Sequence, residues 1–506
     1  MKALPPEIWA LIVKEIERED QKTCLALSKL HHELSTRALF AHVNVHFGLW
    51  IVDPSVTWSE ETAAELQLKN NVTWDILRHI SLFPDFAKVV KKLIIRAYLP
   101  GVGWGEDIFH TRALIAALQA LPNLRTFHWH GDSPRLSQDV LTALAQSSGP
   151  SLKELHIPIT KATAPCLSAF SGLHELRTVD VGWFDSSLDE GCARALQMAV
   201  DSMSRTLTRI TIAGDVFWGC SIRSMLGLQE LEVILPRTAG GLALVFRHCL
   251  SLRSLTLFPR ALYELFSALQ AEPTALPGLR ALKFVYSSIE DMPRFEYRHA
   301  QTLARFIENK KELASLDVEI DGPTDETPCD IPLLQAIAQL PRLEVLGFSL
   351  ARSAWEPSDI QFFRERIPRA VTALRISVSV EQADNDVLLQ EWFSLIKDLS
   401  SLRYLHIFDK FRTFDLKQQI LEDPPASLEL LGYGPFVRWL VRDHNDLDDD
   451  RPKYSPCWPA SKVQFRSVDD FGCATWEWLL RWHGAFSIDE MAPGLRDWAT
   501  DRVLLQ

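Results

Sequence analysis

A pattern of apolar and polar positions six residues long recurs along most of the chain, and we call each copy of it a phrase. In each copy, apolar residues Φ occupy the first, fourth and sixth positions, as Φ-x-x-Φ-x-Φ. We find thirteen copies, which begin at residues 90, 124, 152, 176, 207, 228, 252, 279, 313, 343, 371, 402 and 428. Their mean spacing is about 28 residues, which is typical of stacked structural repeats. The alternation within each copy predicts a short strand.

Most copies are followed by a segment with helical periodicity, for example at 112–121, 139–147 and 388–399. Each repeat is therefore a strand, a turn and a helix that cannot bury its apolar face alone. We predict an α/β fold in which these units stack as a right-handed solenoid, with a parallel sheet on the concave side and helices on the convex side. The alternative is a doubly wound parallel sheet built from similar αβ units.

Successive side chains of a strand point to opposite faces, so positions three, five and seven of each phrase point away from the apolar core. We call the surface formed by these positions the polar face of the sheet. It is the candidate substrate-binding surface, and we expect it to be open and to bind a basic or mixed-charge peptide. A merely solvated sheet face is the alternative. The candidate residues are His128, His130, Asp180, Glu230, Glu232, Asp317, Glu319, Arg375, Tyr404, His406 and Phe408.

The first 46 residues do not contain the repeat and instead predict three short helices. Pro5 and Pro6 favour a helix start, where their missing N–H groups cost nothing, and Glu7 lies near the positive end of the helix dipole. Apolar residues then fall on one stripe. Helices this short cannot hold a core by themselves, so their stripes need another surface.

This N-terminal stretch resembles an F-box. Leu4-Pro5 and Glu7-Ile8 match the start of the family motif, Ile12 and Ile16 match its next apolar positions, and residues 24–45 resemble its second half in fungal members. Residues 27–31 depart from the family, because many members have an aromatic residue there and this chain reads LSKLH. The resemblance implies binding to the Skp adaptor of a cullin ubiquitin ligase. The implied adaptor-binding residues are Leu4, Pro5, Glu7, Ile8, Ile12, Ile16, Leu27 and Leu30. An ordinary helical hairpin that caps the next domain is the alternative.

The repeats in turn resemble a divergent leucine-rich repeat array of the fungal F-box kind. The family's Asn or Cys after the strand is missing, so we expect irregular turns. The resulting domain prediction is an F-box at 1–46, a helical connector at 47–89, the solenoid at 90–436 and a C-terminal segment at 437–506. That last segment contains an acidic run at 443–450 and six of the sixteen tryptophans. We expect it to cap the exposed apolar end of the last repeat, with an aromatic partner-binding surface as the alternative.

Composition excludes several functional classes. The net charge of −12 argues against general nucleic-acid binding. The eight cysteines are dispersed singly, as in reduced cytoplasmic or nuclear proteins. Neither a secretory signal nor a membrane-spanning segment is predicted. There is no P-loop and no G-x-S-x-G elbow, and His42 and His46 are a weak candidate for metal binding. We therefore expect no catalytic residues, no metal and no cofactor.

The sequence thus predicts a non-enzymatic adaptor. By resemblance, it binds the Skp adaptor, and through it a cullin ligase, with its N-terminal helices and an unidentified protein substrate with its repeats. Two alternatives remain. One is a GTPase-activating protein of the leucine-rich repeat kind, which would need a catalytic side chain such as Arg237 or Arg260 on a loop after a strand. The other is a non-catalytic scaffold whose N-terminal helices serve as a cap.

Overall fold

The structure of the protein is a computed structural model. It describes residues 4–49, 60–98, 106–179, 188–260, 262–287, 295–321, 329–351, 356–379, 386–409, 416–441 and 452–483. The described residues up to Thr211 form one compact unit, unit 1, and those from Ile212 onward form a second, unit 2. Among the described helices, none is both long and apolar enough to cross a membrane.

Unit 1 begins with three helices and continues as alternating strands and helices. Its helices are α1 Pro6–Glu15, α2 Arg18–Cys24, α3 Lys29–Phe40, α4 Glu60–Leu82, α5 Pro84–Ala87, α6 Glu106–Gln119, α7 Gln138–Ser148 and α8 Glu190–Ser202, with a 3₁₀ helix at Ala164–Ala169. Its strands are β1 His42–Gly48, β2 Lys92–Tyr98, β3 Thr126–Ser133, β4 Glu154–His156, β5 Glu175–Arg177 and β6 Arg209–Ala213, the last of which contains the division between the units.

Unit 2 has the same alternation up to β14. Its strands are β7 Glu230–Ile234, β8 Ser254–Phe258, β9 Ala281–Ser287, β10 Ser315–Asp321, β11 Val345–Ala351, β12 Ala373–Ser379, β13 Tyr404–Asp409, β14 Leu430–Tyr433, β15 Phe436–Val441 and β16 Lys453–Tyr454. Its helices are α9 Ile222–Leu226, α10 Leu242–His248, α11 Leu262–Ala271, α12 Tyr297–Glu308, α13 Asp330–Ile337, α14 Pro357–Arg364, α15 Asp386–Asp398, α16 Lys417–Glu422, α17 Ala460–Gln464, α18 Val468–Phe471 and α19 Ala474–Leu480, with a 3₁₀ helix at Val216–Gly219.

In each unit, neighbouring strands pair in chain order. Strands β1 to β6 are parallel, as are β7 to β14, while β15 and β16 add antiparallel strands. A doubly wound sheet would instead reverse its strand order partway through. The α/β fold with a mainly parallel sheet is therefore confirmed, and the order of the strands is that of a repeat array.

The apolar positions of the phrase form the core of both units. Leu93, Leu155, Leu255 and Leu316 all occupy the fourth position, and each is 0% exposed. These residues also lie in register from strand to strand, as in the pair Leu316 and Leu346. Burying such a side chain contributes about 1.5–3 kcal/mol. The repeated pattern therefore specifies both which face is buried and how adjacent strands align.

The structure corrects the phrase that was placed at residue 176. Glu175 pairs with Glu154, and Leu176 with Leu155, so this copy begins at Leu173 and not at Leu176. Its polar-face residues are consequently Glu175 and Arg177. Asp180, which the shifted phrase placed on the polar face, lies outside the described residues.

The sheet also begins earlier than the repeated phrase indicates. Strand β1 runs parallel to β2, with Val45 opposite Ile95. The N-terminal helices therefore lead directly into the sheet at His42, and only α4 and α5 of the region 47–89 are helical in the described residues. His42 and His46 lie on this strand and not on a helix.

The described C-terminal segment returns to the sheet of unit 2. Trp458, Phe471 and Trp476 pack with Tyr404 and Leu430 of strands β13 and β14. Helix α19 then crosses the polar face of β10, β11 and β12. The acidic run at 443–450 and Trp498 lie outside the described residues.

Candidate functional site

The N-terminal helices expose an unusual number of large apolar side chains. The exposed fractions are 47% for Leu4, 41% for Ile8, 60% for Leu11, 37% for Ile12 and 62% for Leu27. The first four share one stripe, since they are spaced three, four or one residue apart along α1 and the residues before it. We call these five residues the N-terminal apolar patch.

The side chains on the opposite side of these helices pack against the rest of unit 1 and against one another. Val13 and Leu39 are buried, and the ring of Trp9 packs edge-on against His31 at 4.7 Å. Gln21 Nε2 donates to the carbonyl oxygens of Val13 and Ile16, which closes the end of α1. The part of the patch on α1, formed by Ile8, Leu11 and Ile12, is therefore a surface of a packed helix and not of a frayed end. Of the other predicted adaptor-binding residues, Pro5 and Glu7 are exposed, and Ile16 and Leu30 are half-buried.

The polar face of unit 2 is covered by the protein's own C-terminal segment. Asp317 and Arg375 are 0% exposed, and Glu232 and Glu319 are 5% and 7% exposed. The alternation of the phrase placed these residues on the polar face, which the strand register bears out, but the expectation of an open face does not hold here. The segment 466–483 supplies the covering residues, so we call it the covering segment.

A row of eight residues, six of which have polar side chains, crosses unit 2 at the fifth phrase position. Register places the members side by side on consecutive strands. They are Glu232, Thr256, Lys283, Asp317, Gly347, Arg375, His406 and Gly432. Because strands are about 4.8 Å apart, charges on this row interact directly.

Asp317 is the centre of this row. Its Oδ1 accepts hydrogen bonds from Arg375 Nη2 at 2.7 Å and Nε at 3.2 Å. Its Oδ2 lies 2.8 Å from Lys283 Nζ and 2.6 Å from His483 Nε2. Burial opposes the ionisation of Asp317, but Arg375, His483 and Lys283 together hold its pKa well below the usual value. The carboxylate is therefore charged and fully satisfied.

The side chain of Lys283 holds the covering segment by hydrogen bonds to that segment's backbone. Its Nζ donates to the carbonyl oxygens of Leu479 at 2.9 Å and Arg481 at 2.7 Å, in addition to Asp317. Burial lowers the pKa of Lys283 to about 8, so the ammonium remains protonated at neutral pH. Its three protons match three acceptors.

A second contact anchors the covering segment to β7. Arg481 Nη1 donates to Glu232 Oε1 at 2.6 Å, and Trp482 Nε1 donates to Glu232 Oε2 at 3.3 Å. Trp482 has φ of 70° and is 2% exposed. A bulky residue adopts this left-handed conformation only when its surroundings compensate the strain, which is what these contacts do.

Tyr404 and Phe408, the aromatic members of the candidate substrate-binding surface, pack within the protein. Tyr404 is 0% exposed, and its hydroxyl donates to His406 Nδ1 at 2.9 Å, while His406 Nε2 donates to the Gly434 carbonyl at 2.8 Å. Burial lowers the pKa of His406 to about 3, so it is neutral. Phe408 is half-buried and stacks on His406. Glu230 is also half-buried.

The polar face of unit 1 has a different arrangement, centred on Glu175. His156 Nε2 lies 2.7 Å from Glu175 Oε1, Arg177 Nε lies 2.8 Å from the same oxygen, and Arg209 Nη2 lies 2.6 Å from Oε2. Arg209 also bonds Glu154 at 3.2 Å. Burial opposes ionisation of Glu175, but these cations and His156 hold its pKa well below the usual value.

Two of the histidines of unit 1 stack beside this cluster. The rings of His128 and His156 are parallel, with centroids 3.7 Å apart, and His130 lies edge-on to His128. Burial lowers the pKa of His156 to about 4, and burial with the neighbouring His156 and His130 lowers that of His128. In the part of the chain that the structure describes, no group of three His, Cys, Asp or Glu residues could hold a metal ion.

The sequence did not identify Glu175, Arg177 and Arg209 as a cluster, because the shifted phrase placed Thr178 and Asp180 on the polar face. Nor did it identify Lys283 and Arg481 as partners of the acidic positions. Arg237 and Arg260, considered for a GTPase-activating role, lie just after β7 and β8; Arg237 is exposed and Arg260 is half-buried.

The fold and these sites define an α/β repeat protein with an exposed N-terminal apolar patch, one polar face that its own chain covers and one polar face that is partly accessible. No family model matches the chain, and no curated protein matches it. The crystal structure of the Rad7 and Elc1 complex in yeast is similar over 70% of this chain and 87% of that chain, with 14% sequence identity and a TM-score of 0.39.

Proposed function

We propose that the protein is a substrate-recognition adaptor of a cullin ubiquitin ligase. The N-terminal helices bind the Skp adaptor, and the repeats bind a protein substrate. The chain performs no covalent chemistry itself. It acts by proximity, since tethering raises the effective concentration of substrate lysines near the conjugating enzyme that the ligase recruits.

The observation that carries this proposal is the N-terminal apolar patch. Five large apolar side chains within residues 4–27 are more than a third exposed. Three of them, Leu4, Ile8 and Ile12, occupy positions at which the sequence resembles an F-box. Concentrated exposed apolar surface marks an interaction site on a folded protein. A helical cap over the repeats would instead turn this stripe inward.

Replacing Ile8 and Ile12 with Asp tests the proposal. If the patch is buried against the Skp adaptor, two unpaired carboxylates enter an apolar interface at a cost of several kcal/mol. We expect at least a hundredfold loss of affinity for the recombinant adaptor, measured by isothermal titration calorimetry. The melting temperature should change little, because both side chains are exposed in the free protein.

The matched control replaces Leu226 and Leu250, which are 54% and 70% exposed and lie outside the patch, with Asp. This variant should bind the Skp adaptor as the unmodified protein does. Equal binding by the Ile8 and Ile12 variant would contradict the proposal. Point substitutions are preferable to deleting residues 1–46, because that deletion would also remove most of β1.

A further inference from the structure

We infer that the polar face of unit 1 is a docking surface for an acidic polypeptide segment. The surface is formed by phrase positions three, five and seven on strands β2 to β6, together with the residues of β1 that lie in register with those of β2. The inference rests on the proposed function only in identifying the segment as part of a substrate. The surface itself is argued from charge, exposure and the state of its histidines.

The charge of this surface is opposite to that of the whole chain. Its described members include four cations and two carboxylates, together with histidines on β1, β3 and β4. The cations are Lys92, Arg96, Arg177 and Arg209, and the carboxylates are Glu154 and Glu175. The protein as a whole has a net charge of −12. An acidic ligand is therefore repelled elsewhere and attracted here.

The surface is accessible where the corresponding surface of unit 2 is not. The side chains of Arg209, Glu154 and Arg177 are 39%, 34% and 23% exposed, whereas those of Asp317 and Arg375 are 0% exposed. Strand β2 alternates strictly between buried and half-buried residues. Strand β10 is buried at both kinds of position from Ser315 to Ile320.

The two arginines keep donors for a ligand. Arg177 uses Nε for Glu175, and Arg209 uses Nη2 for Glu175 and Glu154. A guanidinium has five N–H donors, so the other nitrogens of both side chains can bind carboxylate oxygens of a partner. Glu175 aligns the two guanidiniums in the same way that the acidic residues of unit 2 align Lys283 and Arg375.

The stacked histidines respond to the same ligand. His128 is 9% exposed, and its Nε2 has no hydrogen-bond partner within the described residues. Burial lowers the pKa of His128, and the neighbouring His156, His130, Lys92 and Arg177 lower it further. A bound carboxylate would offset these cations and raise the pKa of His128 and His156. Binding is then accompanied by proton uptake and strengthens as the pH falls from about 6.5 to about 5, between the ordinary histidine pKa and the value of about 4 for free His156.

An acidic peptide fits this surface better than a nucleic acid does. Glu154 and Glu175 lie among the cations along the third phrase position, where they repel a continuous row of phosphates. A peptide can place its carboxylates opposite the arginines and its neutral residues opposite Glu154. Nucleic-acid binding instead requires clustered cations of one sign.

Fluorescence anisotropy with fluorescein-labelled decaglutamate tests the inference on the full-length protein. At about 50 mM salt, where charges are little screened, we expect decaglutamate to bind and a labelled deca-serine peptide not to bind. Lys92→Glu should weaken decaglutamate binding at least fivefold, because Lys92 is half-exposed on the surface. Lys91→Glu, with the same charge change on the exposed residue before the strand, should change it less than twofold.

Three outcomes would overturn the inference. They are no preference for decaglutamate over deca-serine, equal effects of the Lys92 and Lys91 variants, and tighter binding of a labelled deca-thymidylate than of decaglutamate. If Lys92→Glu fails to fold, the unmodified protein still decides the question, since binding that does not strengthen between pH 6.5 and 5 contradicts the role of the histidines. The Ile8 and Ile12 variant should bind decaglutamate normally, so the result is independent of the Skp adaptor.

Discussion

Replacing Arg375 with Met is the sharpest test of the buried polar row in unit 2. Arg375 is 0% exposed and crosses Gly347 to reach Asp317 with two nitrogens and Glu319 Oε2 with a third, at 2.6 Å. Methionine fills part of the same space but donates no hydrogen bond. The substitution leaves the buried carboxylates of Asp317 and Glu319 without their shared cation.

The magnitude follows from which partners remain. Asp317 keeps Lys283 and His483, of which only Lys283 is charged at neutral pH, since burial lowers the pKa of His483 to about 4. Asp317 and Glu319 are both buried, and each loses its ion pair with Arg375. Removing one member of a buried ion pair costs about 3–5 kcal/mol. That is a large fraction of the 5–15 kcal/mol typical of a folded domain.

Urea denaturation followed by tryptophan fluorescence measures the loss, because Trp478 and Trp482 lie in the covering segment. Hydrogen exchange of β10 to β12 assigns it to unit 2. The control is Arg342→Met. Arg342 pairs with Glu312 between adjacent repeats, but the two side chains are 61% and 40% exposed, so the loss there should be below about 1 kcal/mol. A loss below about 1 kcal/mol for Arg375→Met, with an unchanged dependence on urea, would refute the reasoning.

Two further predictions concern the same row. The pKa of His483 is lowered in the folded chain, so between pH 6.5 and about 4 the unfolded chain binds a proton that the folded chain does not. As the pH falls through that window, this histidine should reduce the free energy of unfolding by roughly 3 kcal/mol. His483→Gln, whose amide can still donate to Asp317, should flatten the pH dependence measured by urea titrations, and an unaltered curve would contradict the assignment. Gly347→Ala should cost about 3 kcal/mol or more, because a Cβ there would overlap the Asp317 carboxylate and displace the Arg375 bridge. Gly278→Ala, where a Cβ meets nothing within 4 Å, should change the free energy of unfolding by less than about 0.5 kcal/mol, and equal melting curves for the two variants would disprove the steric argument.

The repeated phrase predicted the strands well because burial sets their register. Leu155, Leu255 and Leu316 each need a position facing the helices, and a shift of one residue would reverse the faces. The phrase at 176 failed for a related reason. LRTVDV has apolar residues at all three expected positions, whereas the true phrase, LHELRT, ends in Thr178. Because strand β5 has only three residues, the burial of Leu176 at the fourth position sets its register, although the sixth position is occupied by Thr178 and not by an apolar residue.

The covering of the polar face could not be predicted from the alternation alone. Alternation determines which side chains point away from the core, but it does not show what packs against them. A signal was present, since strands β7 and β10 place Glu232, Asp317 and Glu319 on that face while the covering segment contains Arg481 and His483. His483 follows its partner Asp317 by 166 residues, and Arg481 follows its partner Glu232 by 249 residues. No local sequence pattern relates positions so distant. Strand β1 was missed although Val43, Val45 and Phe47 alternate, because Val43 and Val45 were assigned to the F-box and Phe47 to the helical connector.

The covering segment has a consequence for the order in which unit 2 is made. A ribosome adds roughly 5–20 residues per second, and His483 follows Asp317 by 166 residues. For roughly 10–30 seconds, the nascent sheet therefore carries Asp317 without the hydrogen bond that His483 later supplies. It carries Glu232 without its partner Arg481 for longer, because those two residues are 249 apart. The helix-covered side can close as each repeat leaves the exit tunnel, but the other side must wait for translation to reach the final tryptophans. The polar face of unit 2 is thus completed only once the covering segment has been translated.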